Sequence, residues 1–189
     1  DNPVEILELT PSIEDGDATV NENDLVNDEP ATASGNFSIS APDGVRNLAI
    51  NGITIIADNS LVNTVLTTPL GNQLTITGYN PATGEITYNY ELLNNEQHPD
   101  GVGRNALFDE MPVILMDNDG DTDNDILSIR IIDDIPDAVD DLASLSEDTP
   151  SINIDILAND DEGADAASAS IVQLQGSYGY LTQNQDGTW

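Results

Sequence analysis

Short runs in which apolar and polar residues change places at every step recur along this chain, and that two-residue period constrains its fold more than any other feature. Leu74-Thr75-Ile76-Thr77-Gly78-Tyr79 and Glu85-Ile86-Thr87-Tyr88-Asn89-Tyr90-Glu91-Leu92 alternate about a turn at residues 81–84, as strands do whose successive side chains point to opposite faces. Residues 45–51 and 53–57 flank Asn51-Gly52, a pair that tolerates the two positive φ angles of a tight hairpin. Residues 111–116 and 126–132 supply two more strands rich in Ile, Leu and Val. No stretch keeps a 3.6-residue period over the length of a helix. The reading is all-β, an antiparallel Greek-key β-sandwich.

Charge decides what such a sandwich can meet. Asp and Glu number 36 against three cations, for a formal net charge of -33, and the cations are Arg46, Arg104 and Arg130. No basic face can be assembled, which excludes nucleic acid and an anionic membrane surface as partners. No apolar run approaches the roughly 18 residues of a membrane span, so insertion by this segment is excluded too. Cysteine is absent, which removes disulfides and thiolate metal sites. Self-repulsion on this scale calls for a compensating cation, and clustered carboxylates select a hard one; calcium is the expected ion.

The segment from Pro11, P-S-I-E-D-G-D-A-T-V-N-E, aligns without gaps on the segment from Pro136, P-D-A-V-D-D-L-A-S-L-S-E, 125 residues further on. In each case an apolar strand runs into acidic residues and then proline. This internal repeat divides the chain into residues 1–10, the tail of a preceding module; residues 11–135, a complete module; and residues 136–189, the first part of a further module. The last piece is too short to close a sandwich alone. With an abrupt start at Asp1 and stop at Trp189, the chain reads as a fragment.

The densest constellation is Asp117-Asn118-Asp119-Gly120-Asp121-Thr122-Asp123-Asn124-Asp125, between two expected strands. Alternate carboxylates in a Gly-containing turn can wrap a cation that takes 6 to 8 oxygens. The helix-loop-helix calcium motif does not fit, because its glycine position falls on Thr122 and its last glutamate position on Ser128. The alternative is a solvated Asp/Asn turn. If the turn faces the end where the chain arrives, Glu8, Glu14, Asp15 or Asp17, together with Glu22, are its expected companions. A second acidic group, Asp133 and Asp134 with Glu147, Asp160 and Asp161, is expected at the joint after residue 132; the alternative there is an acidic linker kept soluble by its charge. The metal ligands expected are therefore Asp117, Asp119, Asp121, Asp123, Glu22, Asp15, Asp133, Asp134, Glu147, Asp160 and Asp161. His98, the sole histidine, sits in a loop-like stretch and reads as a surface residue.

Residues 35–45 (G-N-F-S-I-S-A-P-D-G-V), residues 84–92, the 117–121 turn and Asp133-Asp134-Ile135-Pro136 resemble the module pattern of the Ig-like tandem repeats in bacterial repeats-in-toxin (RTX) adhesins. Ser146-Glu147-Asp148-Thr149, residues 156–161 and Gly187-Thr188-Trp189 resemble the first half of a related cadherin-like repeat. The resemblance implies type I secretion, display at the outer membrane of a bacterial cell surface, folding in millimolar extracellular calcium, and service as an extender in cell adhesion and biofilm formation. Its partners are then neighbouring modules of the same adhesin, calcium ions, and an extracellular ligand reached through adjacent domains. The family's later strands are missing after Trp189, which implies an incomplete or split last module.

Two other functions compete with the extender. Long loops at residues 58–69 and 94–108 could bind a sugar or peptide, as loops on sandwich scaffolds do. A hydrolase would pair two carboxylates in a cleft with aromatic platforms, and aromatics make up only 4% of the chain; no catalytic residue is expected.

Overall fold

The computed structural model describes residues 3–26, 30–98, 105–160, 163 and 175–189. The chain divides into two compact units, Asp1–Asp133 and Asp134–Trp189; the boundary read from the repeat falls two residues later.

The first unit is built of two sheets. One has the order β1 (Glu5–Leu7), β3 (Thr32–Ser40), β9 (Glu85–Glu91), β8 (Gln73–Asn80), β7 (Val65–Thr67). The other has the order β2 (Ala18–Asn21), β11 (Thr122–Ile132), β10 (Ala106–Asp117), β4 (Val45–Ile50), β5 (Ile53–Ala57), β6 (Ser60–Leu61). The only helical pieces among the described residues are a 3-10 turn at Ser12–Glu14 and α1 (Asn23–Val26). No helix there is long and apolar enough to cross a membrane.

The alternation read from sequence is what the sheets use. Along β10 every second residue from Asp109 is buried, and Met111, Val113 and Leu115 join Leu127, Ile129 and Ile131 of β11 and Leu48 and Ile50 of β4 in one core. The facing sheet contributes Phe37, Ile39, Leu74, Ile76, Ile86, Tyr88 and Tyr90. The two tyrosines are core residues, 1% and 0% exposed. Asn51 and Gly52 turn β4 into β5 with φ of 49° and 76°, the signs a tight primed hairpin demands.

Three expectations need correction. The sheets are not wholly antiparallel, because β2 pairs with β11 in parallel, Ala18 opposite Ile129 and Asn21 opposite Ile132. Residues 3–10 lie in this unit rather than forming the tail of a preceding one: β1 lies antiparallel on β3, Ile6 opposite Ile39, and Val4 and Ile6 are buried in this unit's core. Burial of two apolar side chains outweighs the linker-like acids around them. Finally, residues 58–69 are not a free loop, since they carry β6 and β7.

In the second unit the described residues form no strand longer than a single bridge, Gln175 with Tyr180. Ile154 and Trp189 exchange backbone hydrogen bonds of 2.6 and 2.7 Å.

Candidate functional site

The β10–β11 hairpin sets the first site. Asp117 ends β10, and its N–H donates to the Asp121 carbonyl at 3.1 Å, closing the turn. The Asp117 carboxylate folds back over that turn, Oδ1 accepting the Gly120 and Asp121 N–H groups at 2.9 Å each. A second turn, Ala41 to Gly44, docks alongside: Asn118 N–H donates to the Gly44 carbonyl at 3.1 Å, and Asn118 Nδ2 donates to the Asp43 carbonyl at 2.8 Å. The result is a group of three carboxylates, Asp43, Asp117 and Asp119, each offering an oxygen within 4.8 Å of the others.

Asp117 is fully buried, and its Oδ2 has no hydrogen-bond partner. Burial pushes its pKa up, but hydrogen bonds from the Asp119 side chain and from the Gly120 and Asp121 backbone outweigh that and hold it below the usual carboxylate range. Asp119 moves the other way. Its hydrogen bond to Asp117 raises it first, followed by desolvation and the Asp117 charge. The two carboxylates are thus pushed in opposite directions, the expected behaviour of like charges brought together.

Not every acid of the 117–125 run belongs to this group. Asp121 is exposed and contributes backbone atoms to the turn. Asp123 and Asp125 lie on β11 rather than in a loop, and Asp123 Oδ2 accepts the Ile6 N–H at 2.7 Å. Asp15 is exposed, 3.7 Å from Arg130. Glu22 is not a companion of the turn: it follows β2 beside Ile132, at the other end of β10 and β11, a strand length of roughly 35 Å away for so long a hairpin.

Glu22 instead meets His98 and Asp133, whose ligating atoms also fall within 4.8 Å of one another. Glu22 Oε2 stands 3.2 Å from His98 Nε2, the two side chains being 0% and 4% exposed. The reading of His98 as a surface residue is thereby corrected. Its Nδ1 lies 2.8 Å from Asn105 Oδ1, and Asn105 also accepts the Asp133 N–H at its carbonyl, at 3.0 Å. The Glu22 carboxylate is fixed from its other side by the Glu96 N–H on Oε1, at 2.6 Å.

In the second unit, Asp160 Oδ1 accepts the Val139 N–H at 2.7 Å, Glu147 is exposed, and the Asp134 carboxylate lies close over Gly163. Among the described residues no group of three acids joins them; Asp161 lies outside the described residues.

Sequence reasoning missed Asp43 and His98. Asp43-Gly44 is a turn signal placed immediately before a strand, but nothing local says that this turn lies on residue 118. His98 lies in a stretch without periodicity, so its burial had no signal.

At this level the molecule is an all-β protein of β-sandwich-like character with carboxylate groups at both ends of one unit that could hold a cation. The chain matches no family model, no curated protein and no solved structure.

Proposed function

We propose that this chain is a calcium-stabilised structural segment of a large bacterial surface adhesin, an extender that holds ligand-binding domains away from the cell. On this reading the first unit is Ig-like, the segment works outside the cell alongside neighbouring modules of the same protein, and it performs no catalysis. The observation that carries the reading is Asp117 Oδ2, a buried carboxylate oxygen without a hydrogen-bond partner, on a side chain grouped within 4.8 Å with the carboxylates of Asp43 and Asp119. An uncompensated buried charge is costly, and an all-oxygen set with adjacent backbone carbonyls suits calcium, which takes carboxylate and carbonyl oxygens together. The net charge of -33 and the resemblance of residues 35–45 and 117–121 to RTX adhesin repeats support the same reading. The ligand-binding alternative has less to stand on, since β6 and β7 occupy the first of its two loops.

Thermal unfolding in a few millimolar calcium, in excess chelator, and in magnesium tests the proposal. Calcium should raise the melting temperature, as any ligand of the native state does, and magnesium should do so weakly. Asp117→Asn keeps the oxygen that holds the turn and replaces the one that faces the cation. It should erase the calcium increment while melting no lower than wild type in chelator. Absence of a calcium increment, or an increment that survives in Asp117→Asn, overturns the assignment.

A further inference from the structure

We infer that Glu22, His98 and Asp133 form a second metal site, one suited to a borderline transition cation of the zinc class rather than to calcium. The inference goes beyond the calcium reading and rests on different residues at the opposite end of the unit.

The tautomer of His98 is the starting point. Nδ1 faces Asn105 Oδ1 at 2.8 Å, and an amide oxygen can only accept, so Nδ1 carries a proton and Nε2 is the nitrogen whose lone pair can meet a cation. That lone pair is buried and makes no hydrogen bond, although Glu22 Oε2 is 3.2 Å away. In a simple imidazolium–carboxylate pair the N–H would point at that oxygen, and here the alignment is missing. A lone pair beside a carboxylate is repulsive unless a positive charge stands between and in front of both.

The geometry fits such an ion. Two ligands held at about 2.1 Å from one centre with near-tetrahedral angles stand about 3.4 Å apart, close to the 3.2 Å between Nε2 and Oε2. Asp133 brings a third donor within 4.8 Å. Two carboxylates and a neutral imidazole neutralise a divalent cation, which removes the cost of a buried net charge. The imidazole nitrogen sets the class: it suits zinc, copper, nickel or cobalt, whereas calcium selects oxygen. The surroundings are those of a metal-bound histidine, whose remote ring N–H is fixed by an oxygen acceptor. Asn105 supplies that acceptor and, through its carbonyl, anchors the Asp133 backbone as well.

The test uses the full chain in saturating calcium, titrated with Zn2+, with the single imidazole followed by nitrogen NMR. One equivalent of Zn2+ should bind, and the His98 Nε2 resonance should move to the metal-bound position while Nδ1 stays protonated. His98→Gln should weaken binding more than about 100-fold, beyond the loss caused by removing a group that only orients a ligand, and Asn105→Ala about 10- to 100-fold. Asp117→Asn should leave zinc binding unchanged even where it abolishes the calcium response, so the two sites fail separately. Three results overturn the inference: no zinc uptake, zinc uptake indifferent to His98→Gln, or an imidazole that is protonated at neutral pH and ignores added zinc. The wild-type NMR titration decides the matter even if a variant does not fold.

Discussion

Gly44→Ala separates the two turns that bring Asp43, Asp117 and Asp119 together without touching any of the three carboxylates. Gly44 has φ of 90°, and a Cβ there would stand 2.7 Å from Asn118 Nδ2 and 3.1 Å from Asn59 Nδ2. An L residue held at positive φ costs roughly 1–2 kcal/mol. Relieving the clash moves Asn118 and breaks its bond to the Asp43 carbonyl, a further loss of about 0.5–1.5 kcal/mol. Stiffening the unfolded chain returns about 0.4–1 kcal/mol, which leaves a net loss of about 1–2.5 kcal/mol. For a unit of this size that lowers the melting temperature by about 4–12 °C. Gly52→Ala is the matched control, because φ is 76° and a Cβ meets nothing within 4 Å. Circular dichroism melts of both variants in chelator isolate the clash as the difference between them, and in calcium Gly44→Ala should also show a diminished increment. Equal melting temperatures, within about 1 °C, would refute the argument, since the strain is common to both and only the contacts with Asn118 and Asn59 distinguish them.

Tyr90 OH donates to Asp109 Oδ2 at 2.9 Å, beside the Thr68 hydroxyl, which donates to the same fully buried carboxylate. Tyr90→Phe should therefore cost about 1–3 kcal/mol in urea unfolding, and a change below about 0.5 kcal/mol would contradict that role. Asp17 is raised above its ordinary 3.8 by burial, against the lowering effect of its backbone bonds to Ser128 and Thr10. A carboxyl raised in the fold binds more protons native than unfolded, so its contribution is complete below 3.8 and is lost as pH climbs through the raised folded value. Melting curves of wild type and Asp17→Asn between pH 3 and 7 should diverge across that window, with the wild type losing stability relative to the variant; parallel curves would mean Asp17 titrates normally.

The strands were legible because their signal is local. Alternation located β4, β5, β8 and β9 to within a residue or two, and Asn51-Gly52 gave their sharpest turn. Where pairing reached beyond the apolar runs, the sequence understated it: Asp123, Asn124 and Asp125 are poor strand formers, yet each is held opposite a residue of β10, and the long partner carries them into the sheet. The site was half legible for the same reason. Asp117 and Asp119 announce themselves within one turn, whereas Asp43 arrives through a contact across 75 residues. His98 joins Glu22 by a route no periodicity records. The N-terminal segment was assigned elsewhere because the repeat aligns it with the strand leading to Pro136, while Ile6, opposite Ile39, keeps it in this unit.

The parallel pairing of β2 with β11 has a consequence for a molecule under load. Tension from the chain ahead of Ala18 and from the chain beyond Ile132 acts along these two neighbours in opposite senses. Four register pairs, from Ala18 with Ile129 to Asn21 with Ile132, are then sheared together, whereas an antiparallel pair pulled from one end would unzip bond by bond. Where the tension arrives, Asp17 reinforces the junction. Its N–H donates to the Ser128 carbonyl at 2.7 Å, and its carboxylate accepts the Ser128 and Thr10 N–H groups at 2.8 and 2.5 Å. A four-residue edge strand that contributes little to the core is in this way a shear joint, standing behind β1 in the path of any pull on the N-terminal side.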